Sequence, residues 1–129
     1  MNKSTNGYRG EILAASYLTE KGYRVICRNF RTRFGEIDII ATNDKYLLFV
    51  EVKTRSGAYI STPKEAVTAS KQRKIVMAAA QYMSENHWDL QPRFDVVEIY
   101  LKSKTAFDVL RINHLENAFD IGGGGYGIF

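Results

Sequence analysis

Two strongly apolar stretches, Gly35-Glu36-Ile37-Asp38-Ile39-Ile40-Ala41 and Leu48-Phe49-Val50-Glu51-Val52-Lys53, carry ionisable side chains in their middles and lie a short turn apart. Each reads as a strand, over Glu36–Ala41 and Tyr46–Thr54. Thr42-Asn43-Asp44-Lys45 between them has turn chemistry, so the pair predicts a β-hairpin. Successive strand residues point to opposite faces, so Glu36 and Asp38 share a side, as do Glu51 and Lys53. Register decides whether the two sets meet. A two-residue turn at Asn43-Asp44 sets Asp38 opposite Phe49, with Glu51 on the diagonal. A four-residue loop sets Asp38 directly opposite Glu51. A three-residue loop without a bulge sends Asp38 to the other face.

Charges inside an apolar hairpin are costly unless paired or metal-bound. Two adjacent carboxylates repel, which raises one pKa. A divalent cation removes that conflict, and hard oxygen ligands suit Mg2+ or Mn2+. Lys53 stands where it can hold a water or a phosphate oxygen. The combination of Asp38, Glu51 and Lys53 suits phosphodiester hydrolysis, in which a metal activates water and screens phosphate charge. The plainer alternative is an acid–lysine salt-bridge patch on a half-exposed sheet. A lone Glu-Val-Lys would mean little, but here it follows Glu-Ile-Asp by one hairpin, with a basic surround and a glutamate on the helix upstream. An interaction protein whose charged patch binds an acidic partner is a further alternative, and it leaves the co-facing carboxylates unexplained.

Around the hairpin the chain predicts an α/β (α+β) domain in the order α-β-β-β-α-β-β, with helices flanking a mixed central sheet. Tyr8, Glu11, Ile12, Ala15 and Leu18 recur at helical spacing over Tyr8–Lys21, and Gly22 is placed to end that helix. Tyr23–Phe30 reads as a strand. Thr62-Pro63-Lys64-Glu65 has the form of a capping box opening a helix that runs to about Glu85, with a possible break near Ser70. Arg93–Leu101 and Thr105–Ile112 read as two further strands. Residues 1–120 form the expected domain. The stretch 121–129, with its four consecutive glycines, is expected to be a flexible tail.

The chain has 129 residues and a net charge of +4, so one domain with an acidic partner is expected. Arg24, Arg28, Arg31 and Arg33 precede the acidic motif, Arg55 follows it, and Lys71, Arg73 and Lys74 add charge on the second helix. A basic rim around an acidic pocket is what a phosphate-backbone binder needs. No base-reading motif is visible, so backbone or shape recognition is expected. Lys71 shares a face with Val67, Ile75 and Ala78, consistent with either a snorkelling lysine or a phosphate contact. Glu36 is expected in a surface salt bridge and Asp95 in a structural pair with Arg93 or Arg55. His87 and His114 are expected in loop or packing roles. The single cysteine, Cys27, reads as a structural thiol. Met1–Gly7 has no apolar leader and no apolar run is long enough to span a bilayer, so a cytoplasmic protein without membrane contact is expected.

The Gly-Glu-Ile-Asp-Ile-Ile-Ala and Phe-Val-Glu-Val-Lys-Thr-Arg segments resemble the core of PD-(D/E)XK nucleases, archaeal Holliday-junction resolvases especially. With Gly10-Glu11, Gly22-Tyr23, Arg28-Asn29, Lys71 and Arg93-Phe94-Asp95-Val96, the chain most resembles the YraN-like family of small bacterial proteins. That resemblance covers about residues 8–100. It implies a restriction-endonuclease-like fold and metal-dependent nuclease activity, with DNA as the expected partner, branched or recombining forms included. It places Asp38 and Glu51 as metal ligands and Lys53 as the catalytic lysine. Glu11 falls where resolvases carry a helical acidic residue, so it is a candidate metal or water ligand, or a carboxylate at the edge of the buried face. Ile37 stands where the superfamily's name has proline. A twofold homodimer is expected, since cutting two strands symmetrically needs two centres. The other reading is a non-catalytic nucleic-acid-binding module that keeps the same fold.

Overall fold

Strands that are apolar on both sides belong in the middle of a covered sheet, and the hairpin arms occupy that position. A computed structural model describes residues 5–56 and 67–119. The elements are α1 (Thr5–Glu20), β1 (Arg24–Arg31), β2 (Glu36–Thr42), β3 (Tyr46–Ser56), α2 (Ala69–Glu85), β4 (Gln91–Leu101) and β5 (Val109–Phe119). The five strands lie in the order β1-β2-β3-β4-β5. β3 and β4 are parallel, and the other neighbouring pairs are antiparallel. A parallel pair needs a crossover on a sheet face, and α2 lies in that connection. The α-β-β-β-α-β-β order and the mixed sheet are those read from the sequence.

Each face of the sheet is covered by one helix. Ala14 and Leu18 of α1 pack with Ile39, Val50, Val97 and Ile99. Ile75, Val76, Ala79 and Tyr82 of α2 pack with Ile40, Phe49, Phe94 and Val96 on the other side. Phe49 stacks on Phe94 and Phe94 on Phe119, while Tyr82 meets Phe30 edge-on.

The face of α1 differs from the expected stripe. Its buried residues are Gly10, Glu11, Ala14 and Leu18, whereas Tyr8 and Ile12 are 44% and 57% exposed. Small residues decided this. A Cβ at Gly10 would collide with Thr54 Oγ1, so the glycine lets the helix backbone lie against β3. Gly22 ends α1 as expected, at φ 103°. Tyr23 N–H donates to the Leu18 carbonyl and Gly22 N–H to that of Thr19, the paired bonds of a left-handed helix cap.

The strands β1 to β4 differ from their expected bounds by one or two residues at an end, and α2 and β5 differ more. The described part of α2 begins at Ala69, where Thr68 is extended and its hydroxyl accepts from Lys71 N–H. Thr68 therefore caps the helix beside the expected break at Ser70. The Thr62–Glu65 capping box and the glycine tail lie outside the described residues. β5 runs over Val109–Phe119 rather than Thr105–Ile112. The reason is that Asn113 and His114 pair with buried carboxylates on β4, so a polar run is carried as strand. Among the described residues, no helix is long and apolar enough to cross a membrane.

Candidate active site

The loop joining β2 and β3 sets the geometry of the site. The Asn43 carboxamide oxygen accepts from the backbone N–H groups of Lys45 and Tyr46, and Asn43 N–H donates to the Tyr46 carbonyl. An Asn side chain that mimics backbone in this way fixes a tight turn. The flanking pairs are Thr42↔Leu47, Ala41↔Leu48, Ile40↔Phe49 and Ile39↔Val50. The loop therefore has four residues, and of the three registers open to the sequence this one sets Asp38 beside Glu51. The regular ladder ends at Ile39↔Val50. One step beyond, the Asp38 carboxylate accepts from Val52 N–H at 2.8 Å, which anchors that side chain between the two strands.

Asp38 and Glu51 are 6% and 4% exposed. Burial raises the Glu51 pKa from 4.5 to about 7, with the Asp38 charge and a hydrogen bond between the two carboxyls adding to the effect; Lys71 and Lys53 oppose it. The Asp38 charge beside it disfavours ionisation of Glu51, as like charges do at close range. Lys53 Nζ and Lys71 Nζ each lie 3.5 Å from Glu51 Oε2. Lys53 comes from the same strand and Lys71 from the first turns of α2, and both are more than a third exposed. Glu51 Oε1 is buried and has no hydrogen-bond partner among the described residues. A buried pair of hard oxygen donors with one orphaned oxygen fits a divalent cation.

Glu11 is 3% exposed and belongs to the helix on the opposite sheet face from Lys71. Among the described residues no three His, Cys, Asp or Glu side chains are grouped closely enough to hold an ion, so Glu11 does not join Asp38 and Glu51 in such a set. Its neighbour Gly10 abuts Thr54, the residue after Lys53. That places Glu11 at the level of the pair along β3 and across the sheet from it.

The cationic residues separate into three groups. Arg24 and Arg28 are exposed on the edge strand β1, and Arg73 is exposed on α2. Arg31, Arg33, Lys71 and Lys74 line a single cleft with Phe34 and Glu36. Glu36 forms the expected salt bridge, to Arg31 at 2.8 Å. Arg55 departs from the expected basic rim. Its side chain is 12% exposed and lies 3.5 Å from the fully buried Glu98, because its position on β3 faces the sheet neighbour Tyr100 rather than solvent.

Glu98 is a site residue the sequence reading passed over. It stands opposite Lys53 in the β3–β4 register and accepts from Tyr100 O–H and the Asn113 amide, both at 3.0 Å. The signal was available, since a carboxylate between Val96 and Tyr100 breaks an apolar strand much as Asp38 does. Asp95 is structural, as expected. It takes two bonds from Arg93, at 3.0 and 2.8 Å, one from Asn117 N–H, and a contact at 2.8 Å with His114 Nε2. Lys21 Nζ meets His114 Nδ1 at 2.9 Å. An ammonium only donates, so the proton facing Asp95 is assigned to Nε2. Burial would raise the Asp95 pKa, but the bonds from His114, Arg93 and Asn117 outweigh it and hold the pKa below the usual value. Cys27 is half-buried against the α2-side core, and burial raises its pKa. His87 is exposed beyond the end of α2.

The Asp38–Glu51 hairpin and its partners fall within residues 10–99, the span matched by the model of the uncharacterised protein family UPF0102. A UPF0102 protein of Caldanaerobacter subterraneus is 45% identical over 120 residues, covering 92% of this chain and 98% of that protein. One from Alkaliphilus oremlandii is 48% identical over 124 residues, covering 92% of this chain and all of its own length. A third, from Geobacter sulfurreducens, is 48% identical over 116 residues, covering 89% and 88%. With the match spanning the helix, the hairpin and the parallel strand that build the site, this chain belongs to the UPF0102, or YraN-like, family.

Proposed function

We propose that this protein is a metal-dependent nuclease that hydrolyses phosphodiester bonds in DNA. The observation that carries the reading is the buried, hydrogen-bonded Asp38–Glu51 pair with Lys53 and Lys71 each 3.5 Å from Glu51. Asp38 and Glu51 would hold Mg2+ or Mn2+. When bound, such an ion lowers the pKa of a coordinated water and screens the phosphate. The other steps belong to the chain itself. Val52 N–H fixes the Asp38 carboxylate, so that ligand position is set before substrate arrives. Lys53 Nζ is partly exposed beside Glu51 and donates to the attacking water or to a phosphoryl oxygen as charge builds there. Lys71 reaches the same carboxylate from α2 and joins the pair to the basic cleft along which the phosphate backbone is bound. Glu98 and Arg55 border Lys53 and limit where its side chain can lie. A twofold dimer would supply a second centre for symmetric incision, which sedimentation with and without DNA tests.

The test of activity is cleavage of linear, flapped and four-way DNA with Mg2+ or Mn2+, comparing the wild type with Asp38→Asn. Metal-dependent cutting that Asp38→Asn abolishes is the expected result. DNA binding without cleavage of any substrate would instead favour a non-catalytic binding module.

A further inference from the structure

The cleft beside the acidic pair has a feature that backbone binding does not require. One wall is the turn from Thr32 to Gly35 between β1 and β2, and the other is the start of α2, with Lys71 and Lys74. The turn is tightly fixed. Thr32 N–H donates to the Gly35 carbonyl at 2.9 Å, Gly35 N–H donates back at 3.3 Å, and the Thr32 hydroxyl accepts from Phe34 N–H at 3.0 Å. A Cβ at Gly35 would lie 3.3 Å from Lys74 Cβ, so a glycine there lets the turn sit directly against α2 and close the end of the cleft. Phe34 stands in this wall. It is half-buried and, among the described residues, belongs to neither core cluster, and its ring carries the Arg33 guanidinium at 4.9 Å from the centroid.

We infer that this cleft holds one unpaired nucleotide next to the phosphate to be cut, its base against Phe34 and its phosphates on Arg31, Arg33 and Lys74. The inference rests on the nuclease reading above and narrows the substrate to nucleic acid with an unpaired strand beside the scissile bond. Four arguments carry it. The cleft measures about 390 Å³, at the low end of the roughly 300–1,000 Å³ of small-ligand sites; that suits one nucleotide and is far too small for a stacked base pair. Four cationic side chains line the cleft with one carboxylate, Glu36; Arg31 is paired with Glu36 and Lys71 meets Glu51, and Arg33 and Lys74 add positive charge beside them. A half-buried ring beside cations, outside the core clusters of the described residues, is the arrangement that binds single strands, stacking bases without reading sequence. Lys71 both lines the cleft and contacts Glu51, so a nucleotide lodged there is adjacent to the acidic pair.

The experiment measures fluorescence anisotropy of the full chain in EDTA, with a labelled blunt duplex and the same duplex bearing an unpaired flank. Phe34→Ala and Phe34→Trp are compared with the wild type, and thermal melting confirms that each is folded. Phe34→Ala is expected to weaken binding of the flanked duplex about tenfold and to leave the blunt duplex unchanged. Phe34→Trp is expected to restore affinity, with indole quenching on binding the flanked duplex only. If Phe34→Ala weakens both duplexes alike, or neither, the unpaired-strand inference is overturned while nucleic-acid binding stands. If the wild type binds neither DNA, the proposed function fails with it.

Discussion

Replacing Glu51 by glutamine tests the electrostatic state of the acidic pair without any assumption about activity. In the absence of metal, the folded Glu51 carboxyl ionises near 7 rather than at 4.5, first through burial and then through Asp38. Between these values the folded state holds a proton that the unfolded chain releases, so wild-type stability falls as pH rises through the window. At about 1.4 kcal/mol per tenfold change, the loss from this group approaches about 3 kcal/mol between about pH 4 and about pH 8. Glutamine cannot ionise, and its amide still offers Asp38 a hydrogen-bond donor. The variant should match the wild type near pH 4 and exceed it by up to about 3 kcal/mol near pH 8. Urea denaturation in EDTA at several pH values reads the difference, because titrating groups that do not interact with Glu51 cancel between the two proteins. A difference that stays constant across the range would refute the reasoning, since it would mean that Glu51 ionises at its ordinary pKa. Adding Mg2+ near pH 8 should then stabilise the wild type and not Glu51→Gln, because a ligand that binds only the native state raises stability with the logarithm of its concentration over Kd.

Lys53→Ala is expected to slow single-turnover cleavage by about 10²–10³-fold while changing DNA affinity little, because its interaction strengthens with the charge of the transition state; equal losses in rate and affinity would reassign it to ground-state binding. Arg33→Ala and Lys74→Ala should each lower the salt dependence of DNA binding by about one charge, measured as the slope of log affinity against log salt, and an unchanged slope would remove that residue from the interface. Arg55→Ala should leave the same slope intact and instead destabilise the fold by about 3 kcal/mol, because it strands the buried Glu98 carboxylate; urea unfolding measures this, and a near-neutral effect would show that Glu98 is satisfied by Tyr100 and Asn113 alone.

The sequence by itself determined the order of elements and singled out Asp38, Glu51 and Lys53 as candidates for the acidic centre. Alternation in β2 and β3 is a local property, so Glu51 and Lys53 had to share a face, and charge inside an apolar strand marked them as exceptional. Gly22 ended α1 for an equally local reason, the left-handed backbone that only glycine adopts freely. What sequence left open was settled by contacts between distant segments. Three hairpin registers were possible until the Asn43 side chain closed a four-residue loop. The buried stripe of α1 shifted to Gly10, Ala14 and Leu18 because close approach to Thr54 outweighed the size of Tyr8 and Ile12. β5 ran on through polar residues because Glu98 and Asp95, on another strand, supply their partners. Arg55 and Arg33 look equivalent in a list of basic residues. Only the sheet register turned one towards Glu98 and left the other on the cleft, because a side chain's electrostatic role depends on the neighbours that folding gives it, and those lie far away in the chain.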